Sequence, residues 1–291
     1  MGEMGFPIAG NLSKHYPVAV WNRTVSKSLH HQEIFKTSAV TSQKPFDRDM
    51  SNTEFIFSCL PTSKEVKIYT EMLLNTSSNL RKDLIWVDNT SGAPLESKNI
   101  ALDLIKSGVG YVDAPVSGGR LGASTGTLAV MVGGPNEYFI RVKPLLEKLA
   151  KSLIHIGENV GCAHAVKSLN NLLYASNVLF IMKAAQSLRK QGIDIEKALK
   201  TINESSGGSN SSRRMLHYET NGHTIGLYFK VKLMIKDIDI AFSMMKGKEN
   251  DPVFKVFNEI RTFYYNSAQE DWENFDIFDM YQVIEEYNNK G

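Results

Sequence analysis

The sequence contains very little cysteine, with two residues, Cys59 and Cys162, in a chain of 291. Two thiols cannot form the disulfide framework of a small secreted domain. Neither thiol is spaced from histidine or from the other cysteine as in a metal site, so no metal is predicted. A reducing, intracellular setting is therefore expected.

Long apolar runs and blocks of like charge are also missing. No run approaches the roughly 20 residues that span a bilayer. The first residues form neither a secretory apolar segment nor an Arg-rich, acid-poor presequence. The 33 basic and 31 acidic residues nearly balance, giving a net charge of +2. Neither a membrane nor a nucleic acid is therefore an expected partner, and attraction for an anionic ligand must be local. A cytoplasmic location is expected.

The first part of the chain alternates short apolar runs with amphipathic segments. The hydrophobic content of 42% is enough to build a core in each of two domains. The runs that predict strands are residues 18–21, 55–57, 84–87, 109–112, 128–132 and 153–156. This alternation predicts an α/β domain with a mostly parallel, doubly wound sheet.

The pattern changes near residue 160. Residues 161–192 have apolar side chains at helical spacing, and further helices are predicted at 231–246 and from Pro252 onward. Residues 207–212, rich in Gly and Ser, are predicted to form a loop. We therefore divide the chain into an α/β domain, residues 1–160, and an all-α domain, residues 161–291.

A turn after one predicted strand has the composition of an anion site. The run that ends at Asp113 leads into Ser117, Gly118 and Gly119. A hydroxyl and backbone N–H groups unobstructed by side chains can converge there on a carboxylate. A tight turn, whose glycines only provide positive φ, is the alternative. The flanking Asp-Ala-Pro and Gly-Thr-Leu segments favour the carboxylate site only because they are part of a family motif that this stretch resembles.

The long predicted helix carries Lys167, Asn170 and Asn171 on one face. A lysine can take a proton from a hydroxyl and return it if its pKa is pulled toward neutrality. Burial and the positive end of a helix would both lower that pKa. A solvated lysine is the ordinary alternative. Two asparagines on an otherwise apolar helix argue against it, because such groups need partners.

Together these motifs resemble the β-hydroxyacid dehydrogenases, the family of 3-hydroxyisobutyrate dehydrogenase and glyoxylate/succinic semialdehyde reductases. The resemblance implies a Rossmann-type NADP-binding domain and a helical domain for substrate and oligomerisation, in a homodimer or homotetramer. It implies hydride transfer between NADP(H) and a small carboxylate-bearing substrate, a β-hydroxy acid or its aldehyde or keto acid. Lys167 would be the catalytic acid/base, and residues 117–119 would hold the carboxylate. Asn170 and Asn171 would both belong to the substrate site, Asn171 by contacting the substrate and Asn170 by orienting Lys167.

The N-terminus matches part of the dinucleotide fingerprint. Gly2 and Gly5, with Met4 between them, correspond to the second and third glycines of G-x-G-x-x-G. The first glycine and its strand would lie upstream of Met1, so we expect an N-terminally incomplete domain. A start codon assigned too late is favoured over a truncated product or a decayed enzyme. A mitochondrial presequence could lie in the same upstream segment, so that compartment stays open.

Residues after the second strand of the fold predict the cofactor. Asn22, Arg23 and Thr24 stand where an NAD-binding protein carries a carboxylate. The Arg23 guanidinium can donate two hydrogen bonds to a 2′-phosphate, with Asn22 and Thr24 as further donors. This favours NADP over NAD. From the resemblance, further cofactor contacts are expected at Leu60, Pro61, Ser91 and Lys236.

Two other functions remain open. One is the NAD-dependent 3-hydroxyisobutyrate dehydrogenase of valine catabolism, against which residues 22–24 argue. The other is a catalytically inactive binding module with the same fold, against which the presence of Lys167 argues.

Overall fold

The computed structural model describes residues 1–76, 80–222, 229–245, 250–268 and 275–281. The chain divides into two compact units, Met1–Lys167 and Ser168–Gly291. The division falls inside one long helix, whose first residues belong to the first unit. The boundary expected near residue 160 lies just before the start of that helix.

The first unit alternates helices and strands. Its strands are β1 (Ala19–Trp21), β2 (Ser38–Val40), β3 (Phe55–Ser58), β4 (Ile85–Asp88), β5 (Gly110–Asp113), β6 (Val116–Ser117), β7 (Leu128–Gly133) and β8 (Ala150–Gly157). Its helices are α1 (Gly5–Leu12), α2 (Val25–Phe35), α3 (Ser63–Thr76), α4 (Pro94–Ile105), α5 (Gly119–Thr125) and α6 (Asn136–Leu146). The sequence pattern missed β2 and β6, since each has three residues or fewer, one of them a serine, and so forms no apolar run.

The main sheet has six strands. The strands β3, β4 and β5 are parallel, β7 runs antiparallel to β5 and β6, and β8 lies parallel to β7. The strands β1 and β2 form a separate parallel pair. Every residue of β4 and β5 is buried, as in a sheet covered on both faces. This confirms the doubly wound α/β prediction.

The strand register places polar side chains at one edge of the sheet. Ser58 pairs with Asp88, and Asp88 pairs with Asp113, each at the last position of its strand. Because the strands are parallel, the loops that follow them leave the same edge. Ligands of open α/β sheets bind at the carboxyl ends of the strands.

The second unit is helical in its described residues. It contains most of α7 (Cys162–Lys190), then α8 (Ile195–Asn203), α9 (Asn210–Thr220), α10 (Val231–Met244) and α11 (Pro252–Ala268). The five helices pack around one apolar core that includes Leu172, Met215 and Tyr264. The prediction of an all-α second domain is confirmed.

The loop predicted at residues 207–212 is wrong in its second half, because α9 begins at Asn210. Ser209 caps this helix: its hydroxyl accepts a hydrogen bond from the Ser212 N–H at 3.0 Å. The Ser212 hydroxyl in turn accepts from the Ser209 N–H at 2.7 Å. Serine is typical of loops and also of helix N-caps, and the two reciprocal hydrogen bonds between Ser209 and Ser212 identify Ser209 as an N-cap.

No helix within the described ranges combines the length and the apolar character needed to cross a bilayer.

Candidate functional site

The segment before α1 is open to an anion. Among the described residues, the backbone N–H groups of Glu3, Met4 and Gly5 have no acceptor. A Cβ added at Gly2 would meet nothing within 4 Å. The positive end of the α1 dipole lies at the same place. These features fit a cofactor pyrophosphate, as predicted for Gly2, Met4 and Gly5.

In the dinucleotide fingerprint the third glycine allows close packing of the helix, but the close contact of α1 lies at Gly10 and not at Gly5. A Cβ at Gly5 would lie 3.5 Å from Cβ of Cys59, an ordinary contact. A Cβ at Gly10 would lie 2.6 Å from the ring of Phe35 in α2. The sequence interpretation missed Gly10, although a glycine inside a predicted helix often indicates close packing.

His31 of α2 holds the first turn of α1 in place. Its Nε2 lies 3.0 Å from the Phe6 carbonyl oxygen, and its Nδ1 lies 2.8 Å from the Thr37 hydroxyl. Because a carbonyl oxygen only accepts, Nε2 carries the proton and Nδ1 accepts from Thr37. The side chain is fully buried, and this burial lowers the pKa of His31.

The residues predicted to choose the cofactor follow β1. Asn22 accepts a hydrogen bond from the Met1 amino group and donates from Nδ2 to the Thr24 carbonyl at 3.1 Å. Thr24 is the N-cap residue of α2. Arg23 is exposed, and its guanidinium has no hydrogen-bond or ion-pair partner within the described part of the chain. Arg23 can therefore turn toward a ligand without breaking a contact.

The turns after β3 and β4 are bonded to each other. The Leu60 N–H donates to the Thr90 hydroxyl at 3.1 Å, and the Thr90 N–H donates to Asp88 Oδ1 at 3.0 Å. Pro61 is exposed and Ser91 is half-buried. The structure thus brings the predicted cofactor residues 60–61 and 91 to the same edge of the sheet.

The turn after β6 combines a hydroxyl side chain with two glycines at positive φ. Gly118 and Gly119 have φ values of 132° and 64°, which favour glycine strongly. A Cβ at Gly119 would meet nothing within 4 Å, so the turn is open there. The Ser117 hydroxyl has no hydrogen-bond partner among the residues that the structure describes. The Ser117 hydroxyl and the unobstructed backbone of Gly119 are therefore both available to a ligand at this turn.

Two contacts join this turn to the predicted cofactor loop. Arg120 Nη1 donates to Glu3 Oε2 at 3.2 Å across the surface. Below them, Asn11 of α1 donates from Nδ2 to the backbone oxygens of Ala123 and Ser124 at 2.6 and 3.1 Å. The sequence interpretation did not single out Asn11, because a polar residue in a short helix gives no indication of its distant partner.

The candidate acid/base lies near the start of α7. Lys167 is 8% exposed and is the last residue of the first unit. The helix start is held by Asp113: Oδ1 accepts from the Gly161 N–H at 2.7 Å, and Oδ2 accepts from the His164 N–H at 2.9 Å. The side chain of His164 bonds through Nδ1 to the Ser97 hydroxyl at 2.7 Å.

The remaining predicted residues form a polar cluster in the second unit. Asn171, 4% exposed, donates from Nδ2 to Asp237 Oδ2 at 2.5 Å. Asn170 donates to Asn171 Oδ1 at 3.2 Å. Lys236 Nζ lies 3.1 Å from Asp237 Oδ1. The pair Lys236–Asp237 and the two asparagines are therefore one connected group, held by the buried Asp237 carboxylate.

The described residues contain no cluster of three or more His, Cys, Asp or Glu side chains that could hold a metal ion. The predicted site residues fall into two sets. The set in the first unit comprises Gly2, Met4, Gly5, Asn22, Arg23, Thr24, Leu60, Pro61, Ser91, Ser117, Gly118, Gly119 and Lys167. The set in the second unit comprises Asn170, Asn171 and Lys236.

Comparison with known proteins matches both units. Residues 1–157 match the NAD binding domain of 6-phosphogluconate dehydrogenase, and residues 161–284 match the family described as NAD-binding of NADP-dependent 3-hydroxyisobutyrate dehydrogenase. The 2-hydroxy-3-oxopropionate reductase of Escherichia coli K12 is 34% identical over 264 residues, covering 85% of this chain and 82% of that protein. The 2-(hydroxymethyl)glutarate dehydrogenase of Eubacterium barkeri is 30% identical, covering 86% and 81%.

A solved structure, Psf3 in complex with NADP+ and 2-OPP, has the same fold, with a TM-score of 0.83 at 23% identity over 97% of both chains. The two family matches and the two relatives confirm the resemblance that the sequence motifs indicated. The chain belongs to the β-hydroxyacid dehydrogenase family, the NAD(P)-dependent oxidoreductases that include 3-hydroxyisobutyrate dehydrogenase.

Proposed function

We propose that this chain is an NADP-dependent oxidoreductase acting on a small β-hydroxy acid, or on the corresponding aldehyde or keto acid. The observation that carries this proposal is the setting of Lys167. A nearly buried lysine stands near the start of α7, one helical turn before Asn171. A lysine withdrawn from water is suited to exchange a proton with a substrate hydroxyl or carbonyl.

The residues of the first unit fit the cofactor. The open N–H groups at residues 3–5 suit the pyrophosphate, and the exposed Arg23 suits a 2′-phosphate. Leu60, Pro61 and Ser91 line the neighbouring turns. The bound nicotinamide would supply or accept the hydride. Arg23, with no carboxylate beside it in residues 22–24, is the reason for proposing NADP over NAD.

The substrate is proposed to bind through its carboxylate. The Ser117 hydroxyl and the backbone of Gly118 and Gly119 would hold that group, and the Asn171 amide would contact the substrate. Asp237 fixes the Asn171 amide by accepting from its Nδ2, and Asn171 Oδ1 accepts from Asn170, which leaves the second N–H of Asn171 for the substrate. Lys167 would take the hydroxyl proton in oxidation and return it in reduction.

We also propose that the chain assembles as a homodimer or homotetramer. Four apolar side chains of α7 are spaced three, four and seven residues apart, so that they lie on one face of the helix. They are Val166 and Leu169, each 39% exposed, and Leu173 and Phe180, each 56% exposed. An exposed apolar stripe of this kind is typical of a protein–protein contact. Sedimentation of the protein at several concentrations measures its mass directly, and a monomer at every concentration would contradict assembly.

The test of the proposed activity is Lys167→Ala. The variant should lose turnover, with kcat reduced about 100-fold or more, because general acid–base groups contribute about 10²–10⁴-fold. NADPH binding, followed by tryptophan fluorescence, should stay within about threefold of the parent, since Lys167 lies outside the cofactor residues. Added alkylamines should restore part of the rate by taking the place of the missing ammonium group.

The matched control is Lys183→Ala, on an exposed position of the same helix. It should keep the parent kcat. Turnover of Lys167→Ala at the parent rate would remove Lys167 from the reaction and, with it, the proposed mechanism. Binding of NADH in preference to NADPH would contradict the proposed cofactor but leave the family assignment unaffected.

A further inference from the structure

The buried carboxylate of Asp113 has an unusual set of partners. The side chain is fully buried, yet no lysine or arginine among the described residues pairs with it. Its two oxygens accept from the backbone N–H groups of Gly161 and His164, at 2.7 and 2.9 Å. The negative charge is therefore balanced by backbone donors and by the positive end of the α7 dipole.

Two glycines make the close packing at this carboxylate and at its Gly161 donor possible. A Cβ at Gly133 would lie 2.6 Å from Asp113 Oδ1. Gly161 has a φ of 91°, and a Cβ there would lie 2.6 Å from the Pro94 carbonyl oxygen. Both glycines thus allow a close approach that any other residue would block. The carboxylate cannot shift without moving the start of α7.

His164 is held a second time through its ring. Its Nδ1 bonds to the Ser97 hydroxyl, which also donates to the Ala93 carbonyl at 3.0 Å. Because that hydroxyl proton goes to the carbonyl, the histidine Nδ1–H donates to the Ser97 oxygen. The first turn of α7 is thus fastened to β5 through its backbone and to α4 through a side chain.

These bonds connect two functional elements. Asp113 ends β5, and the chain reaches Ser117 four residues later. His164 lies three residues before Lys167 on α7, on the neighbouring turn. One carboxylate therefore joins the strand that leads into the carboxylate-binding turn to the helix that carries the candidate acid/base.

We infer that Asp113 is a positioning residue that sets the place of Lys167 relative to residues 117–119. This inference rests on the proposed function, in which Lys167 exchanges the proton and the turn holds the substrate carboxylate. Rates of this kind depend steeply on geometry, since a misplacement of about 1 Å can cost about 100-fold. Two separate hydrogen bonds from the N-terminal end of α7 to one carboxylate fix both the position of the helix along its axis and its rotation about that axis.

The test is Asp113→Asn. The amide has one acceptor oxygen, so one of the two bonds is lost, and its NH₂ group must face a backbone N–H. The expected result is a fall in kcat of about 10- to 100-fold, measured per NADPH-binding site so that unfolded protein does not count. The dissociation constant for NADPH should stay within about threefold, because the bonds lost lie at α7. A purely structural residue would lower the number of sites and leave kcat per site unchanged.

The matched control is Asp276→Asn in the second unit. Asp276 is also buried, and its two oxygens also accept from two backbone N–H groups, those of Phe229 and Phe278, at 2.7 and 2.9 Å. This variant should lose stability while its kcat per site stays near that of the parent. An equal fall of kcat per site in both variants would overturn the inference, because it would then reflect general destabilisation.

Two further outcomes separate this inference from the proposed function. Parent-like kcat in Asp113→Asn, with an inactive Lys167→Ala, overturns the positioning role and leaves the proposed function standing. Turnover of Lys167→Ala at the parent rate instead overturns the proton-exchange role that the proposed function gives Lys167, on which this inference rests. If Asp113→Asn does not fold, Asp113→Glu takes its place. It keeps the charge and both oxygens but displaces them by one methylene, and kcat per site should again fall while NADPH binding persists.

Discussion

The side-chain amide of Asn11 donates to the backbone oxygen of Ala123 at 2.6 Å, joining α1 to α5. A second bond from the same nitrogen reaches the Ser124 oxygen at 3.1 Å. The helix α1 follows the candidate pyrophosphate loop, and α5 follows the candidate carboxylate turn. One buried amide therefore connects the two halves of the proposed site within the first unit.

Replacing Asn11 by leucine should destabilise the protein by about 1–3 kcal/mol, the usual cost of leaving buried backbone acceptors without a donor. Urea unfolding measures this loss. Lys14→Ala is the matched control, since exposed Lys14 bonds to Asn11 Oδ1 at 2.7 Å and its removal should change stability by no more than about 0.5 kcal/mol. Equal effects of the two variants would show that the bonds to α5 are not the stabilising ones.

The stability of the first unit should fall in mild acid because of His31. Burial lowers the pKa of this ring below its ordinary value of 6.5, although its bond to the Phe6 carbonyl opposes the shift. The unfolded chain then takes up the proton more readily than the folded protein. The stability that the neutral ring contributes is present above pH 6.5 and is lost as the pH falls through the lowered pKa.

Urea unfolding at a series of pH values between 7.5 and 5 tests this prediction. The replacement His31→Gln keeps a donor and an acceptor but has no proton to gain in this range, so its stability should depend less on pH. His30→Gln, at the adjacent exposed position, is the control and should keep the parent slope. The same slope in all three proteins would contradict the role of His31.

Cofactor preference should change with Arg23. Replacing it by aspartate removes the proposed partner of the 2′-phosphate and introduces a carboxylate suited to ribose hydroxyls. A charge-assisted bond of about 1.5–3 kcal/mol corresponds to roughly a 10- to 100-fold loss of NADPH affinity, with a smaller gain for NADH. Lys151→Asp, an exposed change of the same charge, should leave the ratio unaltered. Undiminished NADPH selectivity in Arg23→Asp would mean that another group binds the phosphate.

The contact between Asn171 and Asp237 should govern substrate affinity. Asn171→Ala removes the proposed substrate contact and leaves the buried Asp237 carboxylate without one of its donors. We expect KM for the hydroxy acid to rise at least about tenfold, the equivalent of one lost hydrogen bond to a charged group. Asn170→Ala should raise KM less, since that amide bonds to Asn171. Steady-state kinetics with saturating cofactor compare the KM values of the two variants. A larger rise in KM for Asn170→Ala would assign the substrate contact to Asn170 instead of Asn171.

The secondary structure could be predicted well where strands and helices are long. The strands β3, β4 and β7 and the helix α7 have clear sequence patterns, and their ends differ from the expected ones by a few residues. The short β2 and β6 could not be predicted, because each includes a serine and forms no apolar run, unlike the equally short β1. The start of α9 was missed since serine occurs in loops and helix caps alike, and only the reciprocal bonds of Ser209 and Ser212 distinguish them.

The sequence alone determined the family, the α/β and all-α division and the candidate chemistry of Lys167 and residues 117–119, because these depend on residue type and local order. Only the tertiary structure showed which residues, distant in the chain, hold the helices and turns of the candidate site in place. The bonds of Asp113 to the start of α7, of Asn11 to α5 and of His31 to α1 join segments far apart in the chain. Such contacts have no local signature, since a buried polar side chain obtains its partner from the way the chain packs.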